Sequence, residues 1–227
     1  MDGLGPQTPF ARLVASALGD NHFTLLDIGC RGGIDNAWRV FGERLRGFGF
    51  EPDVGEVNRL TERETNPGVV YIPQGVGLPA GDDGAKRMRT AVFWGNNPWP
   101  RLSVSRTQEI RAATAARATE PLADPHESVV IPSFLRERGI DDVDFVKIDV
   151  DGADFLILRS LVQTLEDVKV LGVGIEVNFF GSEEPDVHTF HNVDRLLKQR
   201  GFELFLLSAR PQSVVALPAP YQYPIPG

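Results

Sequence analysis

Phe23-Thr-Leu-Leu-Asp-Ile-Gly-Cys-Arg-Gly-Gly33 is the stretch whose reading decides the fold. Apolar and β-branched residues run up to Asp27, and Gly29, Gly32 and Gly33 follow. That is the pattern of a buried strand turning sharply into a helix, expected over residues 34–45. Nucleotides sit at such turns, because glycines let the backbone approach a ligand and a helix start aims its free N–H groups at it. Roughly twenty residues on, Phe48-Gly-Phe-Glu-Pro-Asp53 reads as a second apolar strand ending at Glu51. At this spacing a carboxylate can accept from both hydroxyls of a ribose. The two stretches together describe a nucleoside pocket.

What is missing narrows the nucleoside. A dinucleotide turn needs G-x-G-x-x-G to lay a pyrophosphate on the helix N-terminus, but Arg31 and Ile34 hold the second and third glycine positions. What remains is D-x-G-x-x-x-G from Asp27, which resembles motif I of S-adenosylmethionine-dependent methyltransferases. In that motif the acid two residues before the first glycine helps hold the methionine amino group. Arg31 departs from the commonest form, which has a third glycine there. The resemblance makes Asp27, Gly29, Cys30, Arg31, Gly33, Glu51 and Pro52 the candidate cofactor contacts.

The 227 residues suffice for one sizeable core and imply a single α/β domain spanning residues 1–227. A net charge of -8 argues against nucleic-acid binding dominated by phosphate contacts. The single cysteine rules out a disulfide framework and a multi-cysteine zinc site, which suits a cytoplasmic protein. Cys30 reads as a small residue packed under a ligand rather than a reactive thiol. No apolar run approaches the length of a membrane span, and the N-terminus lacks a signal-peptide pattern.

Along the chain, residues 9–18 read as a short covering helix, 53–64 as a helix, and 69–77 as a third strand that Pro73 confines to an edge or ends early. Strands alternating with helices imply a parallel sheet with ligands at the carboxyl ends of the strands. The alternation breaks in an insertion over residues 80–127. There Lys86, Arg87, Arg89, Arg101, Arg106, Arg111 and Arg117 stand against one acid, Glu109, between residues 86 and 118. Either these are solvated helix faces with Trp94 and Trp99 anchoring a loop, or the insertion is a lid over the acceptor. In the second reading the two indoles stack on a sugar ring and Arg101 faces an anionic group.

Order returns at Asp144-Phe-Val-Lys-Ile-Asp-Val-Asp-Gly-Ala-Asp154, a strand ending in carboxylates, with an amphipathic helix over residues 155–165. Carboxylates at the end of a central strand are where α/β enzymes place their chemistry. Asp149 ends an otherwise apolar strand and must be solvated, paired or ligand-bound. Asp154 also suits a first-turn acid favoured by the helix dipole. Lys147 reads as a partner charge, not a base. Residues 168–179 are a fifth strand, 186–200 a helix capped by Gly201, and 202–207 a further strand. The Pro-rich tail, residues 211–227, holds a last short apolar strand from Val214 and leaves little to close a hairpin, so a truncated or shorter chain is expected. His188 and His191 read as exposed or packed rather than metal-binding.

The segments Leu25-Leu-Asp-Ile-Gly-Cys-Arg-Gly-Gly33, Gly49-Phe-Glu-Pro-Asp53, Phe145-Val-Lys-Ile-Asp-Val-Asp-Gly-Ala-Asp154 and Gly174-Ile-Glu-Val-Asn178 resemble the successive motifs of the FkbM-type methyltransferases. That family usually writes the third as K-I-D-x-E-G-A-E, so Asp151 and Asp154 stand where it has glutamates. The likeness covers residues 20–78 and 128–210 and leaves the insertion out. It implies a Rossmann-like class I methyltransferase fold with a mostly parallel seven-stranded sheet, helices on both faces, and an antiparallel hairpin formed by the last strands. It also implies an S-adenosylmethionine-dependent O-methyltransferase acting on hydroxyls of sugars or secondary metabolites.

Asp149, Asp151 and Glu176 are the candidate catalytic residues, Asp149 doubling as a cofactor contact; Trp94, Trp99 and Arg101 are the candidate acceptor contacts. Either a carboxylate assists removal of the acceptor proton, or Asp149, Glu176 and Asn178 cage Mg²⁺. The expected partner is a small-molecule acceptor, a sugar or glycosylated metabolite, with no nucleic acid and no membrane; a homodimer is compatible. Two other classes stay open, a nucleotide-sugar or dinucleotide enzyme and a non-catalytic nucleoside-fold module whose basic insertion binds a partner. Arg31 filling the cofactor space would favour the last.

Overall fold

The computed structural model describes residues 13, 15–78, 128–150, 153–177, 185 and 187–208. Five strands among them form one parallel sheet: β1 (Phe23–Ile28), β2 (Leu45–Phe50), β3 (Val69–Ile72), β4 (Phe145–Ile148) and β5 (Gly172–Ile175), in the order β3-β2-β1-β4-β5. Helices α1 (Val54–Arg63), α2 (Ile131–Glu137), α3 (Asp154–Asp167) and α4 (Phe190–Lys198) accompany them, and residues 15–17, within the expected covering helix, are helical ahead of β1. The chain starts at the sheet's centre, winds outward through β2 and β3, then returns to place β4 on the other side of β1. Crossovers therefore change face between β1 and β4, and a crevice opens outside their carboxyl ends.

Both faces are covered. Leu26, Ile28, Phe48, Phe50, Ile72, Val146 and Ile148 pack against α2, α3 and α4. Phe23, Leu25, Leu45, Val69 and Tyr71 pack against α1 and a 3-10 segment, Asn36–Arg44. On this second face Phe23 stacks on Phe41 with ring centroids 4.1 Å apart, and Trp38 leans on Phe145 at 4.6 Å. Phe145 in turn lies across β5: a Cβ on Gly172 would stand 2.7 Å from its ring. The glycines of β5 are the space that one aromatic side chain fills.

The third strand ends at Ile72, ahead of Pro73, and lies at the sheet edge. The helix expected over 53–64 is α1, with Asp53 as N-cap accepting from the Glu56 N–H at 3.1 Å. The segment after β1 is not an α-helix. It is 3-10 in character, begins only at Asn36, and breaks at Gly42 (φ 55°, ψ -131°), a backbone conformation unavailable to a continuous helix. The fifth strand is shorter than residues 168–179, because Val168 and Lys169 still close the last turn of α3, Lys169 at φ 54°. The helix α4 starts at Phe190 rather than 186, capped by Thr189, whose hydroxyl accepts the Asn192 N–H. Helix α2, with proline in its first turn, has no counterpart in the reading of the sequence.

The family pattern implies seven strands, and five form among the described residues. Residues 202–207 carry the right apolar composition but pair with none of the five, and Phe205 is 96% exposed. Apolar patterning marks a segment that could join a sheet; only a neighbouring ladder makes it a strand. The partner expected from Val214 lies outside the described residues, as do the insertion 80–127 and the tail 211–227.

Candidate functional site

The carboxyl edge of the sheet is built by extending each parallel ladder one hydrogen bond beyond its strand. Glu51 N–H donates to the Ile72 carbonyl (3.1 Å), Gly29 N–H to Phe50 (3.0 Å), Asp149 N–H to Ile28 (2.9 Å) and Glu176 N–H to Ile148 (3.4 Å). Four residues singled out from the sequence thus stand side by side along one edge, with the Gly29–Asp149 pair at the point where the winding reverses.

Gly29 is tight there. At φ +83° a Cβ would stand 1.8 Å from the Asp149 carbonyl oxygen, so any side chain would force β1 and β4 apart. Its small size serves strand-to-strand contact. Gly32 differs: a Cβ there would meet nothing within 4 Å, so the turn is open at that point. The turn is tied on one side to α1, the Gly32 N–H donating to Glu56 Oε1 (2.9 Å). Hydrogen bonds from Arg59 and then Gly32 hold the Glu56 carboxyl down at about 2, so this acceptor stays ionised. The Arg31 guanidinium also leans to α1, 3.8 Å from Asp53, and its side chain is 71% exposed. From beneath, the Tyr71 hydroxyl accepts the Ile34 N–H (3.4 Å) and donates to Glu64 (3.0 Å), which grips Arg39 at 2.7 and 2.8 Å. The turn is held from both sides before any ligand arrives.

Asp27 lies one step below the edge, 1% exposed, with Lys147 Nζ 2.9 Å from its Oδ1. The two are direct cross-strand partners, which confirms the reading of Lys147 as a partner charge. Lys147 also donates to the Gly29 carbonyl (3.3 Å) and stands 3.9 Å from Asp149 Oδ2. Burial pushes the Asp27 carboxyl up and Lys147 pulls it back only in part, leaving it raised. Cys30 is buried beside Gly49, and burial, then Asp27 and Glu51, push its thiol up to about 12. A thiol so placed is a packing residue, not a nucleophile.

Glu51 is buried, with Oε1 accepting from the Asp53 N–H (3.0 Å), so the carboxylate is oriented by its own chain. Pro52 approaches the loop after β3, its Cβ 3.9 Å from the Cβ position of Gly75. Asp149 has 26% of its side chain exposed, and Glu176 is exposed.

The third motif closes on an interaction the sequence did not reveal. Asp154 is a first-turn acid of α3 but is buried, folding back to accept the Val150 N–H (2.9 Å) and facing His188 Nδ1 at 3.9 Å. His188 Nε2 meets the Glu176 carbonyl at 2.6 Å, so this histidine pins the segment before α4 to the ends of β4 and β5. The only sequence signal was a lone histidine after the motif. His191 is exposed.

Asp151, Asn178, Trp94, Trp99 and Arg101 lie outside the described residues, and with them one of the three expected metal ligands. Among the described residues no group of three or more His, Cys, Asp or Glu is placed to hold a metal, and no helix is long and apolar enough to cross a membrane. Two clefts there, about 430 and 480 Å³, are lined by residues 61–71 and by residues 15–16 and 40–44. Both lie away from the acidic strand ends, which carry the chemically distinctive groups.

A doubly wound parallel sheet with acidic residues at the carboxyl ends around its switch point defines a Rossmann-like enzyme architecture. The methyltransferase FkbM domain model matches residues 39–204, and the chain belongs to that family of methyltransferases. No curated protein and no solved structure matches the chain.

Proposed function

We propose that this chain is an S-adenosylmethionine-dependent O-methyltransferase acting on a hydroxyl of a sugar or secondary metabolite, as one cytoplasmic domain. Family membership supports methyl transfer; the row Glu51, Gly29, Asp149 and Glu176 at the switch point carries the rest. The donor set fits an adenosyl amino acid. A buried, pre-oriented carboxylate at Glu51 suits a ribose diol, the open turn at Gly32 suits a backbone approach, and a partly exposed carboxylate at Asp149 lies at the far end.

When bound, S-adenosyl-L-methionine supplies the electrophilic sulfonium methyl. Glu51, its carboxylate oriented by the Asp53 N–H, would accept from the ribose hydroxyls, and Pro52 beside it would line the cofactor side. The pinned turn, residues 29–33, holds the crevice floor, so little reorganisation opposes binding. Asp149 and Glu176 form the acidic side on which an acceptor hydroxyl would have to lie in line with the methyl group, and Asp151 is the third carboxylate the sequence assigns there. An alcohol proton is far less acidic than a carboxylic acid, so a carboxylate there takes it only as the transition state develops. Trp94, Trp99 and Arg101 of the insertion are the residues the sequence assigns to the acceptor. A Mg²⁺ held by Asp149, Glu176 and Asn178 is the competing version of this step, and turnover unchanged in a chelator excludes it.

The test is release of S-adenosylhomocysteine from a panel of sugars and glycosylated metabolites. Glu51→Gln removes charge-assisted hydrogen bonds of about 1.5–3 kcal/mol, so S-adenosylhomocysteine should bind roughly 10- to 100-fold more weakly by calorimetry. Unchanged affinity would remove the ribose role.

A further inference from the structure

The acid that the first motif offers to the cofactor's amino group is not accessible to it. Asp27 is 1% exposed, its Oδ1 is 2.9 Å from the chain's own ammonium on Lys147, and the two are register partners inside the sheet. Above them Gly29 seals directly onto the Asp149 main chain and turns its carbonyl to the same Lys147. An incoming ammonium would have to displace Lys147 and part β1 from β4. Asp149 is two residues further along β4 on the same face, past the seal, with 26% of its side chain exposed.

We propose that Asp149, not Asp27, receives the α-ammonium of the cofactor, and that Lys147 serves as the internal counter-ion that keeps Asp27 a structural acid. This rests on the proposed cofactor use and refines it. Lys147 stands 2.9 Å from Asp27 and 3.9 Å from Asp149, so its direct partner is Asp27. A carboxylate engaged by an ammonium is a poorer base, which leaves Asp151 and Glu176 for the acceptor proton.

The experiment compares two ligands by calorimetry on the full chain: S-adenosylhomocysteine and its des-amino analogue, in which hydrogen replaces the amino group. The ratio of their dissociation constants isolates the ammonium contact and is insensitive to the fraction of chain folded. The wild type should prefer the amino ligand by roughly tenfold or more, the scale of one charge-assisted hydrogen bond. Asp149→Asn should bring the ratio close to one. Asp27→Asn combined with Lys147→Gln, which keeps a neutral hydrogen-bonding pair in the buried position, should preserve the preference. Loss of the preference in the double variant with retention in Asp149→Asn would overturn the inference, as would a wild type with no preference. A wild type that binds neither ligand would overturn the cofactor reading, and this inference with it.

Discussion

Lys147 is the residue whose environment explains most about the site, because it lies between the acid at the end of β1 and the acid that leaves β4. Removing it strands a buried carboxylate, and breaking such a pair costs about 3 kcal/mol. Lys147→Met should therefore lower stability by about that much at neutral pH. The pH dependence has a definite sign. The Asp27 carboxyl is raised in the folded chain by burial, so the native state binds the proton more tightly than the unfolded one. Lowering the pH neutralises the stranded charge, so the deficit should shrink as denaturant melts are moved from neutral to acid pH. A deficit constant with pH would mean that Lys147 acts through packing alone. At this scale the sequence was legible for Glu51, Asp149 and Lys147, whose positions follow from strand alternation. It was not legible for Asp27 against Asp149, because two carboxylates of one sheet face differ in exposure, 1% against 26%, across the close contact that Gly29 makes.

Among the elements, the 3-10 segment and α1 cooperate through Arg39 and Glu64. Burial alone would raise the Glu64 carboxyl, but bonds from Arg39, the Asn66 N–H and Tyr71 outweigh it and the carboxyl is lowered. A depressed carboxyl contributes stability above its unfolded value of about 4.3 and loses it as pH falls through the folded value. Glu64→Gln should therefore destabilise the chain near neutrality and flatten the loss of stability as the pH falls below the unfolded value. An unchanged acid slope would assign that loss to other carboxylates. Element reading from the sequence worked where apolar periodicity is strong, as in α1 and α3. It failed after β1, where the spacing of Trp38 and Phe41 imitates a helix face while Gly42 breaks the path. It failed again at residues 202–207, whose apolar run has no ladder among the described strands. In β5 the glycines look like poor strand residues until Phe145 is seen to fill the room they leave.

For the whole molecule, winding order decides function more than any single motif. Strands three, two and one on one side and four and five on the other bring Glu51, Gly29, Asp149 and Glu176 to one edge. A net charge of -8 suits binding of a cofactor that carries a sulfonium and an ammonium. The Arg31 guanidinium, turned to Asp53, is tied to α1 at the outer side of the turn. Thermal unfolding of the full chain tests the central claim most directly. S-adenosylhomocysteine at a hundredfold excess over its dissociation constant adds about 2.7 kcal/mol, which for a chain of this length is a Tm rise of roughly 5–10 °C, with no rise from NADH. A Tm unmoved by S-adenosylhomocysteine, or raised by NADH instead, would contradict the account.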